Sequence, residues 1–133
     1  MNLEMKNIMF SIITVCYNAE NVIRDTVESL QYQTYKNYEY IIIDGKSSDD
    51  TLKVIRTYCF ENLKLISEND NGIYDAMNKG ISQSKGKYIY FLNAGDTFFD
   101  KNVLGKVAES VEFSMPELVY GDANYIYEGY SAI

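Results

Sequence analysis

The sequence contains no histidine and only two cysteines, Cys16 and Cys59. Their scarcity excludes Cys/His zinc sites, Ser-His and Cys-His nucleophile pairs, and any histidine general base. Basic residues are few as well: 12 Lys plus Arg stand against 19 Asp plus Glu, a net charge of −7. A phosphate-binding basic surface is therefore not expected, and nucleic acid is excluded as a partner. No run approaches the roughly 18–20 uninterrupted apolar residues of a membrane span, and the amino terminus lacks a signal-peptide core. There is one proline, Pro116, and no linker, repeat or low-complexity tract. What is present is 133 residues, 47% hydrophobic and 14% aromatic, enough for one core. This composition predicts a single domain, soluble and cytoplasmic, whose chemistry rests on carboxylates, amides, hydroxyls, lysines and backbone.

Strands alternate with helices along the chain. Met9 to Cys16 (MFSIITVC) is an unbroken apolar and β-branched run, as a strand buried on both faces of a parallel sheet requires. Val22, Ile23, Thr26, Val27 and Leu30 follow at the spacing of one helix face. Tyr38 to Asp44 (YEYIIID) predicts a second strand. Ser47 or Ser48 is then expected to cap a helix carrying Leu52, Ile55 and Cys59, with Asp50 completing a capping box on Ser47. Leu63 to Ser67 predicts a third strand, and after the Asp70-Asn71-Gly72 turn, Ile73, Met77 and Ile81 mark a third helix. Lys87 to Leu92 (KYIYFL) predicts a fourth strand, Asn102 to Val111 a fourth helix, and Leu118 to Tyr120 a further strand. Both cysteines read as small apolar core residues. Such alternation means an α/β domain with parallel strands. Ala123 to Ile133 still alternates apolar and polar residues at the last position, so the chain is expected to be truncated. An unpaired last strand offers an edge on which a second copy could pair as a homodimer.

In open α/β sheets ligands bind beyond the carboxyl ends of the strands. Here those ends are polar: Tyr17 and Asn18; Asp44, Gly45 and Lys46; Glu68, Asn69 and Asp70; Asn93, Ala94, Gly95 and Asp96. Turns and helix caps ask for the same residue types, so each taken alone has a purely structural reading. The segment FLNAGD, Phe91 to Asp96, is the most informative, because it ends an apolar strand in an amide, a glycine and a carboxylate, oxygen ligands for a hard cation. A carboxylate beside a diphosphate would otherwise be repelled by about 4 kcal/mol at ~4 Å and an effective dielectric of ~20, and a bridging divalent ion removes that cost. Neither GxGxxG nor GxxxxGK[ST] occurs, so dinucleotide-fingerprint oxidoreductases and P-loop enzymes lose their support.

Five segments, SIITVCYN (Ser11 to Asn18), IIIDGKSSDDT (Ile41 to Thr51), ENDNGIYDAMNKGI (Glu68 to Ile81), GKYIYFLNAGD (Gly86 to Asp96) and VYGD (Val119 to Asp122), together resemble the family 2 glycosyltransferases. They stand in family order across most of the chain, and the subgroup they are most similar to is that of bacterial exopolysaccharide, capsule and O-antigen transferases. The resemblance implies a GT-A (Rossmann-like) three-layer α/β/α sandwich with a mostly parallel central sheet. It implies an inverting, metal-assisted transfer of a sugar from a nucleotide-diphospho-sugar, a UDP-sugar by family weight, to a saccharide or lipid-linked acceptor. Carried over by position, Val15 and Tyr17 border the nucleobase, with the Tyr17 ring as a flat face for uracil, and Asp44 accepts a hydrogen bond from base or ribose. Asp75 faces the donor with Asn78 and Lys79 one turn on; a lysine there reaches a phosphate as a point charge, or else lies on a solvated helix face. Asn93, Ala94, Gly95 and Asp96 fill the family's DxD-like position, where Asp96 coordinates Mn²⁺ or Mg²⁺.

Two departures stand out. Gly45 follows Asp44 where many members carry a second acid, and LNAGD replaces LDADD, leaving Asp96 as its only carboxylate and metal affinity modest. The general base in the family lies downstream of position 133, and Asp122 is not assigned that role. The chain is thus expected to be a donor-binding part, weakly active or inactive in isolation. An inactive nucleotide-sugar-binding module is the alternative, favoured by Asn93 and Gly95. A nucleotidyltransferase stands third, since Tyr17-Asn18-Ala19 does not supply the glycine-rich basic loop expected of one.

Overall fold

The computed structural model describes residues 7–127 and 130–132, with side chains up to Asn124. Four parallel strands form the central sheet: β1 (Phe10–Cys16), β2 (Tyr38–Asp44), β3 (Leu63–Ser67) and β4 (Tyr88–Phe91), in the order β3-β2-β1-β4. β1 is central, pairing with β2 from Phe10↔Tyr38 to Cys16↔Asp44 and with β4 from Phe10↔Tyr88 to Ile13↔Phe91. All seven β1 residues are buried, which is why its sequence is an unbroken apolar run rather than an alternating one.

Helices α1 (Ile23–Gln31), α2 (Thr51–Ile55) and α4 (Val103–Val111) pack on one face, and α3 (Ile73–Gln83) on the other. The first face joins Phe10, Ile12, Tyr40 and Ile42 to Ile23, Val27, Leu30, Ile55 and Leu104; the second joins Ile13, Val15, Ile41 and Ile43 to Ala76. The side-chain period of two in β1 and β2 thus feeds two cores. Three layers of α/β/α result. Thr14 ties them at the carboxyl end of the sheet, donating to the Leu92 carbonyl at 2.6 Å while its oxygen lies 2.8 Å from the Tyr40 hydroxyl.

Several sequence expectations are corrected. The third helix marked by Ile73, Met77 and Ile81 is present as α3, which buries Ala76 and Gly80 and packs Met77 against the same core, while Ile73 and Ile81 are 52% and 43% exposed. The helix lies so close to the sheet that a Cβ on Gly80 would sit 2.5 Å from Ile13 Cγ2, a gap that only small residues fit. Val22 is the N-cap of α1 and half-exposed rather than part of its buried face. α2 has only five residues, so Cys59 falls beyond it and is exposed, whereas Cys16 is buried. The Ser47 capping box is absent: Asp50 is the N-cap without a side-chain bond, and Ser47 serves other partners. Leu118 to Tyr120 forms no strand, and Leu118 and Tyr120 are 77% and 91% exposed. The strand-like alternation from Ala123 resolves into a small antiparallel pair, β5 (Tyr125–Tyr127) and β6 (Tyr130–Ala132); residues 128, 129 and 133 lie outside the described residues. No helix among the described residues is long and apolar enough to cross a membrane.

Candidate functional site

β1 ends at Cys16, and the chain must turn away from a sheet that continues on both sides. Asn18 makes the turn at φ 48°, a left-handed conformation that asparagine tolerates better than most residues. Its backbone N–H donates to Ser47 Oγ at 2.8 Å and its side-chain oxygen accepts from the Ser48 N–H at 2.8 Å. Further along, the Ala19 N–H donates to Thr51 Oγ1 at 2.8 Å and the Asp50 N–H to Glu20 Oε2 at 3.0 Å. The loops after β1 and β2 are therefore stitched together by side chains that satisfy backbone groups no ladder serves.

Asp44 holds this assembly from beneath. It is fully buried, and its Oδ2 accepts from the Ser47 N–H at 2.9 Å and Ser67 Oγ at 2.7 Å, while Oδ1 accepts from Ser47 Oγ and, at 3.5 Å, from the Cys16 thiol. A carboxylate has about four lone-pair sites, and all four already have donors inside the protein. Asp44 thereby joins the ends of β1, β2 and β3. Burial, then the Asp44 charge, pushes the Cys16 thiol far above its ordinary range. Thiol reagents are accordingly expected to modify Cys59 in the native protein and Cys16 at least about 100-fold more slowly, as thiolate content and access dictate; mass spectrometry should find one adduct in buffer and two in denaturant.

At the carboxyl end of β1 lies a cleft of about 310 Å³ lined by Val15, Cys16, Tyr17, Asp70, Gly72, Ile73 and Ala76. Tyr17 is 65% exposed and presents its ring at the mouth. Gly45 is where the walls meet, since a Cβ there would lie 2.8 Å from Asp70 Oδ2 and 3.4 Å from the Tyr17 ring. The far wall is the start of α3, whose N-cap is Gly72 at φ 103° with no side-chain cap, so a helix amino end with free N–H groups borders the cleft. A larger cavity of about 540 Å³, lined among others by Met9, Tyr35 and Lys106, sits at the opposite, amino end of β1, away from every strand-end loop.

The Asn93–Asp96 loop flanks the other side of β1, with the Ala94 N–H on the Val15 carbonyl at 3.4 Å. Gly95 turns at φ 99° and its N–H donates to Thr26 Oγ1 at 2.8 Å; Asp96 is exposed. Asn93 Oδ1 is buried without a hydrogen-bond partner, a buried acceptor left unsatisfied. Ala94 is different, because its side chain packs into the α1 face of the core. Burial, then the Asp96 charge, raises the Tyr90 hydroxyl above its ordinary range. Among the described residues no three Cys, Asp or Glu side chains are placed to hold a metal ion by themselves. Asp96, exposed at the end of this loop, is its one carboxylate within reach of a cation from solvent.

Of the remaining expected residues, Asp75 is half-buried and accepts from the Asn71 N–H at 2.9 Å, Lys79 bonds to the Asn69 carbonyl, and Asn78 is exposed on α3. The structure thus brings Val15 and Tyr17 into the cleft, sets the Asn93–Asp96 loop beside them, and leaves Asp44, Asp75 and Lys79 as parts of its frame. Gly72, Ile73 and Ala76 were not expected there. Their signal was their place directly after a polar strand end, which the four-residue spacing of Ile73, Met77 and Ile81 obscured.

The chain matches glycosyl transferase family 2 over residues 11–131. It belongs to that family. A PGL/p-HBAD biosynthesis glycosyltransferase of Mycobacterium tuberculosis is 35% identical over 118 residues, 86% of this chain and 46% of the relative. The Escherichia coli UDP-Glc:alpha-D-GlcNAc-diphosphoundecaprenol beta-1,3-glucosyltransferase WfaP is 36% identical over 122 residues, 90% of this chain and 47% of the relative. This family 2 chain therefore spans about half the length of the curated relatives it matches. Among solved structures, S. aureus TarS 1–349 in complex with UDP superposes with TM-score 0.73 at 28% identity, covering 78% of this chain and 32% of that one. A Pyrobaculum calidifontis mannosyltransferase in complex with GDP-Man and Mn²⁺ superposes with TM-score 0.72 at 19% identity, over 83% of this chain and 34% of that one, a likeness of fold. The four-stranded parallel sheet with helices on both faces is the GT-A arrangement expected from the sequence.

Proposed function

We propose that these residues form the donor-binding half of an inverting glycosyltransferase that takes a UDP-sugar and serves a saccharide or lipid-linked acceptor in surface polysaccharide or glycolipid synthesis on the cytoplasmic side. The observation that carries this reading is the cleft at the end of β1, with the exposed Tyr17 ring on one side and the uncapped start of α3 on the other. A flat apolar ring suits a pyrimidine, and helix N–H groups suit an anion. The relatives support the nucleotide: WfaP is named for UDP-Glc, and the TarS structure holds UDP.

In this reading Val15 and Tyr17 border the base, and Asp44 keeps their loop in place. Asp96 would hold Mn²⁺ or Mg²⁺, which when bound would supply positive charge opposite the departing diphosphate. The acceptor hydroxyl needs a base; we assign none among these residues and expect it from the acceptor half of a longer chain. Calorimetric titration of UDP tests the reading. Binding is expected with Mn²⁺ and should weaken about tenfold or more with chelator or in Asp96→Asn, a loss of about 1.4 kcal/mol. No binding under any condition would overturn it. Asn93 and Gly95, which replace acids common in the family, favour a second reading as a binding module without transfer activity. UDP binding that ignores both chelator and Asp96→Asn would support that one.

A further inference from the structure

We infer that Lys79 is a positioning residue: it clamps the Glu68–Gly72 loop onto α3 and so fixes one wall of the nucleotide cleft, instead of contacting a phosphate. The inference rests on the reading of that cleft as a nucleotide site.

The Lys79 ammonium lies 2.8 Å from the Asn69 carbonyl, 3.2 Å from Glu68 Oε1 and 3.6 Å from Asp75 Oδ2. An ammonium has three donors, and three acceptors surround it. Asp75 Oδ2 also accepts from the Asn71 N–H at 2.9 Å, and Asp70 Oδ1 from the Gly72 N–H at 3.1 Å. At its start the loop is fixed by the Glu68 N–H on the Asp44 carbonyl at 3.0 Å. Lys79 thus closes a path that runs from α3 through Glu68 and Asn69 to Asp70 and Gly72, both of which line the cleft. Burial draws the Lys79 ammonium down, but Glu68, Asp75 and Asp70 outweigh it, and the group stays protonated above its ordinary range. A phosphate approaching Lys79 would meet the carboxylates of Glu68, Asp70 and Asp75, whose repulsion opposes the attraction of one cation. These contacts occupy the Lys79 ammonium and leave an anion in the cleft to the N–H groups at the start of α3.

The two roles separate on two probes, UDP and uridine, which lacks phosphates. For a clamp, Lys79→Met should weaken both by the same factor, about tenfold, at an unchanged thermal midpoint, and Lys79→Arg should restore both. Glu68→Gln should weaken both about threefold, and the double variant should be no worse than Lys79→Met, because the two groups act through one contact. If Lys79→Met spares uridine and weakens only UDP, or if Glu68→Gln tightens UDP by removing a repelling charge, the clamp is refuted. Amide exchange in the nucleotide-free protein supplies a readout independent of binding. The Asn71 and Gly72 amides should exchange at least about fivefold faster in Lys79→Met, and wild-type rates there would also refute the clamp. Should the wild-type chain bind neither probe, the nucleotide reading fails while the exchange data still decide the clamp. Should Lys79→Met not fold, Glu68→Gln carries the same comparisons from an exposed position.

Discussion

Asp44→Ala is expected to lower stability by about 3–4 kcal/mol, the largest effect of any single side chain near the site. The substitution strands the Ser47 N–H, Ser47 Oγ, Ser67 Oγ and the Cys16 thiol, all of which point at one buried carboxylate. An unsatisfied buried donor costs about 1–3 kcal/mol, and hydroxyls can turn to other partners whereas the Ser47 N–H cannot. Asp44→Asn should be milder, about 1–2 kcal/mol, because its amide oxygen still accepts from Ser47 N–H and Ser67 while its NH₂ faces Ser47 Oγ. Urea unfolding with an unchanged slope is the measurement, and the alanine variant should also melt about 10 °C lower. Equal midpoints for wild type and Asp44→Ala would mean that the three strand ends are held by something else.

Gly86→Ala is expected to cost about 3 kcal/mol, at the other end of the sheet. A Cβ at Gly86 would lie 2.6 Å from the Ser11 nitrogen and 2.7 Å from the Phe10 carbonyl carbon, and β1 is buried on both faces and paired on both edges, so its backbone has nowhere to go. Displacing Gly86 instead breaks a buried polar chain: the Gly86 N–H donates to Ser11 Oγ at 2.8 Å, and Ser11 Oγ to Glu39 Oε2 at 2.6 Å. The same Glu39 oxygen accepts from the Lys85 N–H, and Glu39 is only 1% exposed. Overpacking costs about 1–3 kcal/mol, and loosening the donors of a buried carboxylate adds to it. Gly105→Ala is the control of opposite sign: its Cβ would meet nothing nearer than Tyr35 Cβ at 3.8 Å, inside a helix where alanine is favoured by about 0.5–1 kcal/mol. The pair should move the urea midpoint in opposite directions.

Most of the fold was legible because parallel strands buried on both faces leave unbroken apolar runs such as Ile41–Ile43, and the helices between them keep a clear period. What escaped the sequence was set by distance. Gly80 faces the sheet because α3 sits too close to Ile13 for even a Cβ there, whereas spacing alone gave no sign that Ile73 and Ile81 would be exposed while Ala76 and Gly80 are buried. Leu118 to Tyr120 is apolar enough for a strand, yet it gains no partner, and an apolar run without a neighbour is only exposed surface. At the site, the strand-end rule located Tyr17, Asp70 and the Asn93–Asp96 loop from sequence. The role of Asp44 was not legible, because its partners Cys16 and Ser67 stand 28 and 23 residues away and converge only once three strands are aligned.

β1 takes its neighbours from unequal distances along the chain. The edge facing β2 pairs Thr14 with Ile42, but the other edge waits for β4, where Ile12 pairs with Tyr90, 78 residues further along the chain. At about 5–20 residues per second of synthesis, the stretch between Asp44 and Leu92 takes roughly 2–10 s to appear. Until then the second edge of β1 has no partner of its own, and an unpaired apolar strand edge is open to any other strand. The order of the strands along the chain thus sets how long this edge must wait for its neighbour.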